Sequence, residues 1–146
     1  MKIKSAHKAI PDFFLLPGKY AVSSSARDIL EDLEPGKHQF IPVVLCRKNG
    51  ELFEGDHFVL HVCSAVDAIV PEQSEVYAIT TASGRQSLRL AKVRPSLAVQ
   101  KNKLKDRHFW TGNKSFNINF FCSDEFFKRA KSAKLKGFDF TPIREV

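Results

Sequence analysis

The sequence predicts a single α+β domain over 1–146, built mostly of antiparallel strands with two helices, near 24–34 and 124–135. Three observations predict it. Apolar residues alternate at period two in "FNINFFC" (116–122), and "HFVLHVC" (57–63) is a dense apolar strand pattern. Ala26, Ile29, Leu30 and Leu33, and later Phe126, Ala130 and Ala133, fall instead at helical spacing. Two helices cannot cover both faces of a large sheet, so alternating α/β layering is excluded. A length of 146 residues suits one domain, and an apolar fraction of 43% with 13 Phe supplies a packed core.

Along the chain, Phe13–Leu16 turns at Pro17-Gly18 into Tyr20-Ala21-Val22. One of Ser23, Ser24 or Ser25 then offers a hydroxyl to the open N–H groups of a helix start. Asp28, Glu31, Asp32 and Glu34 fill the solvent side of that helix, and Pro35-Gly36 stops it. His38–Cys46 reads as a strand in which Pro42 argues for an edge or a bulge. Asn49-Gly50 is a turn signal before the strand His57–Cys63. Asp67–Val70 and Val76–Ile79 are extended, with a short strand at Leu88–Val93, while 83–105 is polar, basic and weakly patterned.

Arg107–Trp110 and Phe116–Cys122 form the arms of a hairpin that turns at Thr111-Gly112-Asn113. Ser123-Asp124-Glu125 opens the second helix, with negative charge at the positive dipole end. Gly137 ends that helix and Phe138–Ile143 returns as a strand. Ser23, Phe40 and Pro42 recur 100 residues later as Ser123, Phe140 and Pro142. Three identities are too few to establish a duplication, so a recurrent strand-helix-strand unit is the economical reading.

No enzyme signature emerges. His57 and His61 on one strand stand about 13 Å apart, too far to chelate one ion. There is no nucleophile elbow and no phosphate-cradling glycine loop. Cys46, Cys63 and Cys122 are odd in number and widely spaced, which fits buried free thiols in a reducing compartment. The expectation is therefore a chain with no catalytic residues, no metal and no cofactor. No apolar run approaches a membrane span and no secretory leader is evident, so a cytoplasmic protein without a membrane partner is expected. Oligomeric state is left open.

Charge is divided unevenly. Residues 1–91 carry 10 Lys/Arg against 11 Asp/Glu, whereas 92–146 carry 13 against 5. Such a field speeds encounter with an acidic partner. Lys103, Lys105, Arg107, Trp110 and Lys114 form one candidate partner-binding patch, and Lys128, Lys131 and Lys134 a second. The acidic 28–34 helix face is the competing surface if the partner is basic. Cations mixed with aromatics over 101–114 also suit single-stranded nucleic acid, which keeps a basic nucleic-acid-binding domain as the alternative reading, although no nucleic-acid module motif is present.

Three ordered landmarks carry a resemblance: "Y-x-V-S…A-R-x-I-L-E-x-L-E-P-G-x-H-Q-F-I-P-V-x-L", "F-V-L-H-V…V-D-A-I-V", and "R-H-F-W…F-F-C-S-D-E-F-F-K…L-K-G-F-D-F-T-P-I". The chain resembles immunity-protein family eleven of bacterial polymorphic toxin systems, from about Asp12 to Ile143. Ser123, Asp124, Glu125, Lys136, Gly137, Phe140 and Pro142 stand at the family's C-terminal pattern, and Val66-Asp67-Ala68 at its central one. Cys122 and Thr111 depart from it, standing where the family has Val and Arg. The resemblance implies a protein that binds a cognate bacterial toxin and neutralises it by occlusion, without chemistry of its own.

Overall fold

The computed structural model describes residues 2–5, 9–112 and 120–146. The chain divides into two compact units, each drawn from separated stretches: 1–63 with 124–139, and 64–123 with 140–146. The architecture is α+β, with two helices and several mostly antiparallel sheets.

The first unit is a five-stranded sheet carrying both helices. Its strands are β1 (Lys2–Ser5), β2 (Phe13–Leu16), β3 (Lys19–Ser23), β4 (Gln39–Arg47) and β5 (His57–His61), in the spatial order β1-β4-β5-β3-β2. Only β1 runs parallel to its neighbour, pairing with β4 from Val44 to Arg47. β4 lies between β1 and β5 rather than at the sheet edge that Pro42 suggested; Pro42 is tolerated because it lies before the stretch paired with β1, where its missing N–H costs no ladder bond on that side. Asn49-Gly50 does form a turn, but it folds Leu52 and Phe53 back onto Cys46 and Leu45 before β5 begins.

Alternation gives this sheet two apolar faces. Leu16, Ala21, Val43, Leu45 and Val59 cluster on one, with Ile10, Phe14 and Phe53 packed against them. The other receives the helices, α1 (Ser24–Leu33) and α2 (Asp124–Ser132). Phe13 stacks on Tyr20 at 5.2 Å and on Phe138 at 4.8 Å, and Phe138 meets Phe126 of α2 edge-on. Phe126 and Leu30 are each almost wholly buried. Each such side chain contributes about 1.5–3 kcal/mol by leaving water.

Ser23 is the N-cap of α1. Its hydroxyl accepts from the Ala26 N–H at 3.3 Å and donates to Asp12 at 2.6 Å. The end of α2 differs from the sequence expectation. Gly137 does not stop the helix; Lys134 does, in the left-handed region at φ 54°. The Lys134 N–H bonds to the Lys131 carbonyl and the Leu135 N–H to the Ala130 carbonyl, the paired closure of a Schellman cap. Ala133 is consequently exposed rather than part of the buried stripe. Gly137 has another task. A Cβ there would collide with the Phe13 carbonyl, where the Asp12 and Phe13 N–H groups bond to the Lys136 carbonyl.

Among the described residues, the second unit holds three small sheets. They comprise β6 (Ala65–Val66), β7 (Val76–Thr80), β8 (Gln86–Leu90), β9 (Ala98–Val99), β10 (Phe109–Gly112), β11 (Phe121–Cys122) and β12 (Arg144–Glu145). The orders are β11-β10-β6, β7-β8 and β9-β12. Ala68, Ile69, Leu97, Val99, Trp110 and Phe121 form its core, flanked by Val76, Leu88, Leu90 and Ile143. The expected C-terminal hairpin pairs Phe109 with Cys122 and Trp110 with Phe121. Its turn is not at Thr111-Gly112, which continue β10 and pair with β6. The expected strand over 138–143 is also absent: Phe138 is held by ring stacking, and pairing resumes only at β12. The 100-residue recurrence therefore ends with the second helix.

Candidate functional site

The candidate surfaces separate once each charged side chain is followed to its contacts. On α2, Phe126 and Ala130 are buried, which turns Phe127, Lys128 and Lys131 outward. The first turn carries Asp124 and Glu125 and the last carries Arg129 and Lys131, each sign matching its end of the helix dipole. Phe127, Lys131 and Lys134 follow at i, i+4 and i+7, on the flank opposite Glu125 and Arg129. The Lys131 ammonium lies 5.8 Å from the centre of the Phe127 ring, which is 37% exposed. Lys128, Lys134 and Lys136 are exposed and carry no ion pair among the described residues.

Arg129 behaves differently. Its guanidinium bonds to Asp32 on α1 and to Glu125 at 3.1 Å, and the Asp32 bond followed by that to Glu125 raises its pKa further. It ties the two helices together and is not offered outward.

Over the described part of the 101–114 stretch, most cations are engaged by groups of the same unit. Lys101 pairs with Glu145 at 3.2 Å, and the Lys103 ammonium donates to the Asp67 carbonyl at 2.8 Å. Arg107 donates to the hydroxyl of Ser64 at 3.0 Å, and Ser64 is only 2% exposed. His108 Nδ1 and the Ser123 hydroxyl are 2.8 Å apart. Trp110, read from the sequence as a surface anchor, is 3% exposed and stacked on Phe121 at 5.8 Å. Within this stretch Lys105 is exposed and its side chain makes no bond among the described residues. Lys114 lies outside the described residues.

The acidic helix face is likewise used up internally. Asp28 pairs with Arg27 at 2.7 Å, Asp32 with Arg129, and the Glu31 carboxylate accepts the Gly36 N–H at 3.3 Å. Glu34, placed by its spacing on the solvent side, is buried and pairs with buried His38 at 3.0 Å. The helix ends at Leu33, so Glu34 leaves the helical path and turns inward.

Other chemical candidates do not converge. His57 is buried edge-on against Phe14, whereas His61 is exposed. Cys46 is buried, but Cys63 is exposed, contrary to the expectation of three buried thiols. Among the described residues no group of three or more His, Cys, Asp or Glu is placed to share a metal ion, and no helix is long and apolar enough to cross a membrane. An open depression of about 710 Å³ is lined by Val70, Gln73, Gln100, Lys101, Asn102 and Val146, which include no nucleophile with an adjacent base.

The sequence reading thus named Lys128 and Lys131 of α2 and Lys134 just after it, and the structure adds to them a residue that reading overlooked. Phe127 had a signal: it sits four positions before Lys131, where a helix sets an aromatic ring beside a cation. A family model described as "Immunity protein family (Imm11)" matches residues 1–145. No curated protein matches the chain.

Proposed function

Since the chain belongs to the Imm11 immunity protein family, we propose that it works in the cytoplasm by binding a cognate bacterial toxin and covering the surface that toxin needs. The match along 1–145 carries this reading. Inhibition by coverage requires only a complementary surface, typically about 1,600 Å² in total, and adds no step of bond-making. A charged rim raises the association rate, so a toxin is captured before damage accumulates. The formal charge of +7, concentrated in the second part of the chain, supports steering toward a partner of opposite sign.

The nucleic-acid alternative has lost its footing. Stacking on bases needs open aromatic faces, and Phe109 and Trp110 are both buried. Lys101, Lys103 and Arg107 are engaged within the fold.

Co-expression with the toxin encoded by the gene immediately upstream tests the proposal. Growth is expected to be restored when the immunity chain is present. Killing that continues with both proteins fully expressed refutes it.

A further inference from the structure

We infer that the toxin-binding surface is the outer face of α2 and the turn after it, formed by Phe127, Lys128, Lys131, Lys134 and Lys136, and that its partner is an acidic protein surface. This deepens the toxin-binding reading and rests on it.

The inference follows from which charges are already spent. Every carboxylate from 28 to 34 has a partner within the fold. Three of the cations over 101–107 are tied to Glu145, the Asp67 carbonyl and buried Ser64. Freeing any of them for a partner would break an existing contact, and at Ser64 it would strand a buried hydroxyl. Lys128, Lys134 and Lys136 forfeit no ion pair when they turn to a partner.

Their backbone is also held in place. The Schellman closure at Lys134 fixes the turn, and the Lys136 N–H bonds to the Asp12 carboxylate at 2.8 Å. Loss of freedom on binding is then confined to the lysine side chains, which keeps the ordering cost down. Phe127 adds the half-exposed aromatic that such surfaces use as an apolar anchor.

The surface favours protein over nucleic acid. Nine residues of α2 span about 13 Å, a short track for a phosphate backbone. On the flank toward α1, Arg129 is held between Glu125 and Asp32 and adds no free cation to extend that track. A folded partner can set carboxylates opposite the lysines alone.

The test uses the full-length chain and the toxin domain encoded immediately upstream, with affinity measured by calorimetry at 50 and 300 mM salt. Lys128→Glu with Lys134→Glu is expected to weaken binding about a hundredfold at low salt and to flatten its salt dependence. Lys19→Glu with Lys48→Glu, a charge-matched pair at other exposed sites of the first unit, is expected to weaken it less than fivefold. Circular dichroism confirms that both variants fold; if the glutamate variant does not, Lys128→Ala with Lys134→Ala replaces it, with a loss of at least tenfold expected. Equal losses in both pairs, or none in the α2 pair while the wild type binds, overturn the inference and leave the toxin-binding reading intact. A wild type that neither binds nor protects overturns that reading together with the inference. Tight binding of a 20-nucleotide single strand that the α2 substitutions abolish overturns the choice of an acidic protein.

Discussion

Two basic regions of this chain have nearly the same composition and opposite fates. Lys101–Arg107 and Lys128–Lys134 each hold four Lys/Arg within seven residues. In the first, a short 3-10 segment and the turn after it direct Lys101, Lys103 and Arg107 at a carboxylate, a carbonyl and a hydroxyl of their own unit and leave Lys105 exposed. In the second, a regular helix with a narrow buried stripe and the turn after it expose Lys128, Lys131 and Lys134, while Arg129 is tied to Asp32 and Glu125. Positive charge in a sequence therefore measures two things at once: what holds the fold together and what is left to meet a partner. Secondary structure decides the division.

Substitutions can sharpen or break that contrast. The largest effect is expected from Gly137→Ala. The new Cβ meets the Phe13 carbonyl and the residue has φ 93°, so the lacing between the turn after α2 and the start of β2 must give way. A loss of about 3 kcal/mol or more is expected in urea unfolding. Toxin affinity should fall with it, since the turn carrying Lys134 and Lys136 loses its anchor. Full stability in this variant would show that the turn is held by something else.

Arg107→Ala comes next. It removes the guanidinium donor to buried Ser64, for an expected loss of about 1–2 kcal/mol with toxin affinity unchanged in the remaining folded protein. A stable variant with lost affinity would place Arg107 on the interface and reverse the contrast. Smallest is Lys134→Gly. Glycine relieves the left-handed strain, for an expected gain of about 0.5–1 kcal/mol. Affinity should drop because a contact lysine is gone. A stability gain with an affinity loss, read by thermal unfolding and calorimetry on one variant, separates the two roles of a single residue.

Much of this was legible in the sequence, and the failures have physical causes. Both helices were visible because Ala26/Leu30 and Phe126/Ala130 pair at i, i+4, behind the Ser23 cap in α1 and the acidic first turn in α2, purely local signals. The hairpin strands β2 and β3 announced themselves through Pro17-Gly18. The segment 138–143 misled because Phe138 serves ring contacts with Phe13 and Phe126 while Ile143 packs on the second unit's core, long-range contacts that spacing cannot encode. The end of α2 misled for a similar reason: Gly137 is required by a neighbouring carbonyl, while Lys134 takes the left-handed position usually given to glycine. Trp110 was taken for an anchor because aromatic and basic residues adjoin it. Its burial depends on Phe121, eleven residues along the chain, and on the distant Ile69, Leu97 and Val99.

Hydrogen exchange of the full chain with and without the upstream-encoded toxin domain puts the central claim to the most direct test. The account predicts that complex formation slows exchange across residues 126–136 and leaves 101–107 at its free rate. Protection confined to 101–107, with 126–136 unchanged, would contradict it.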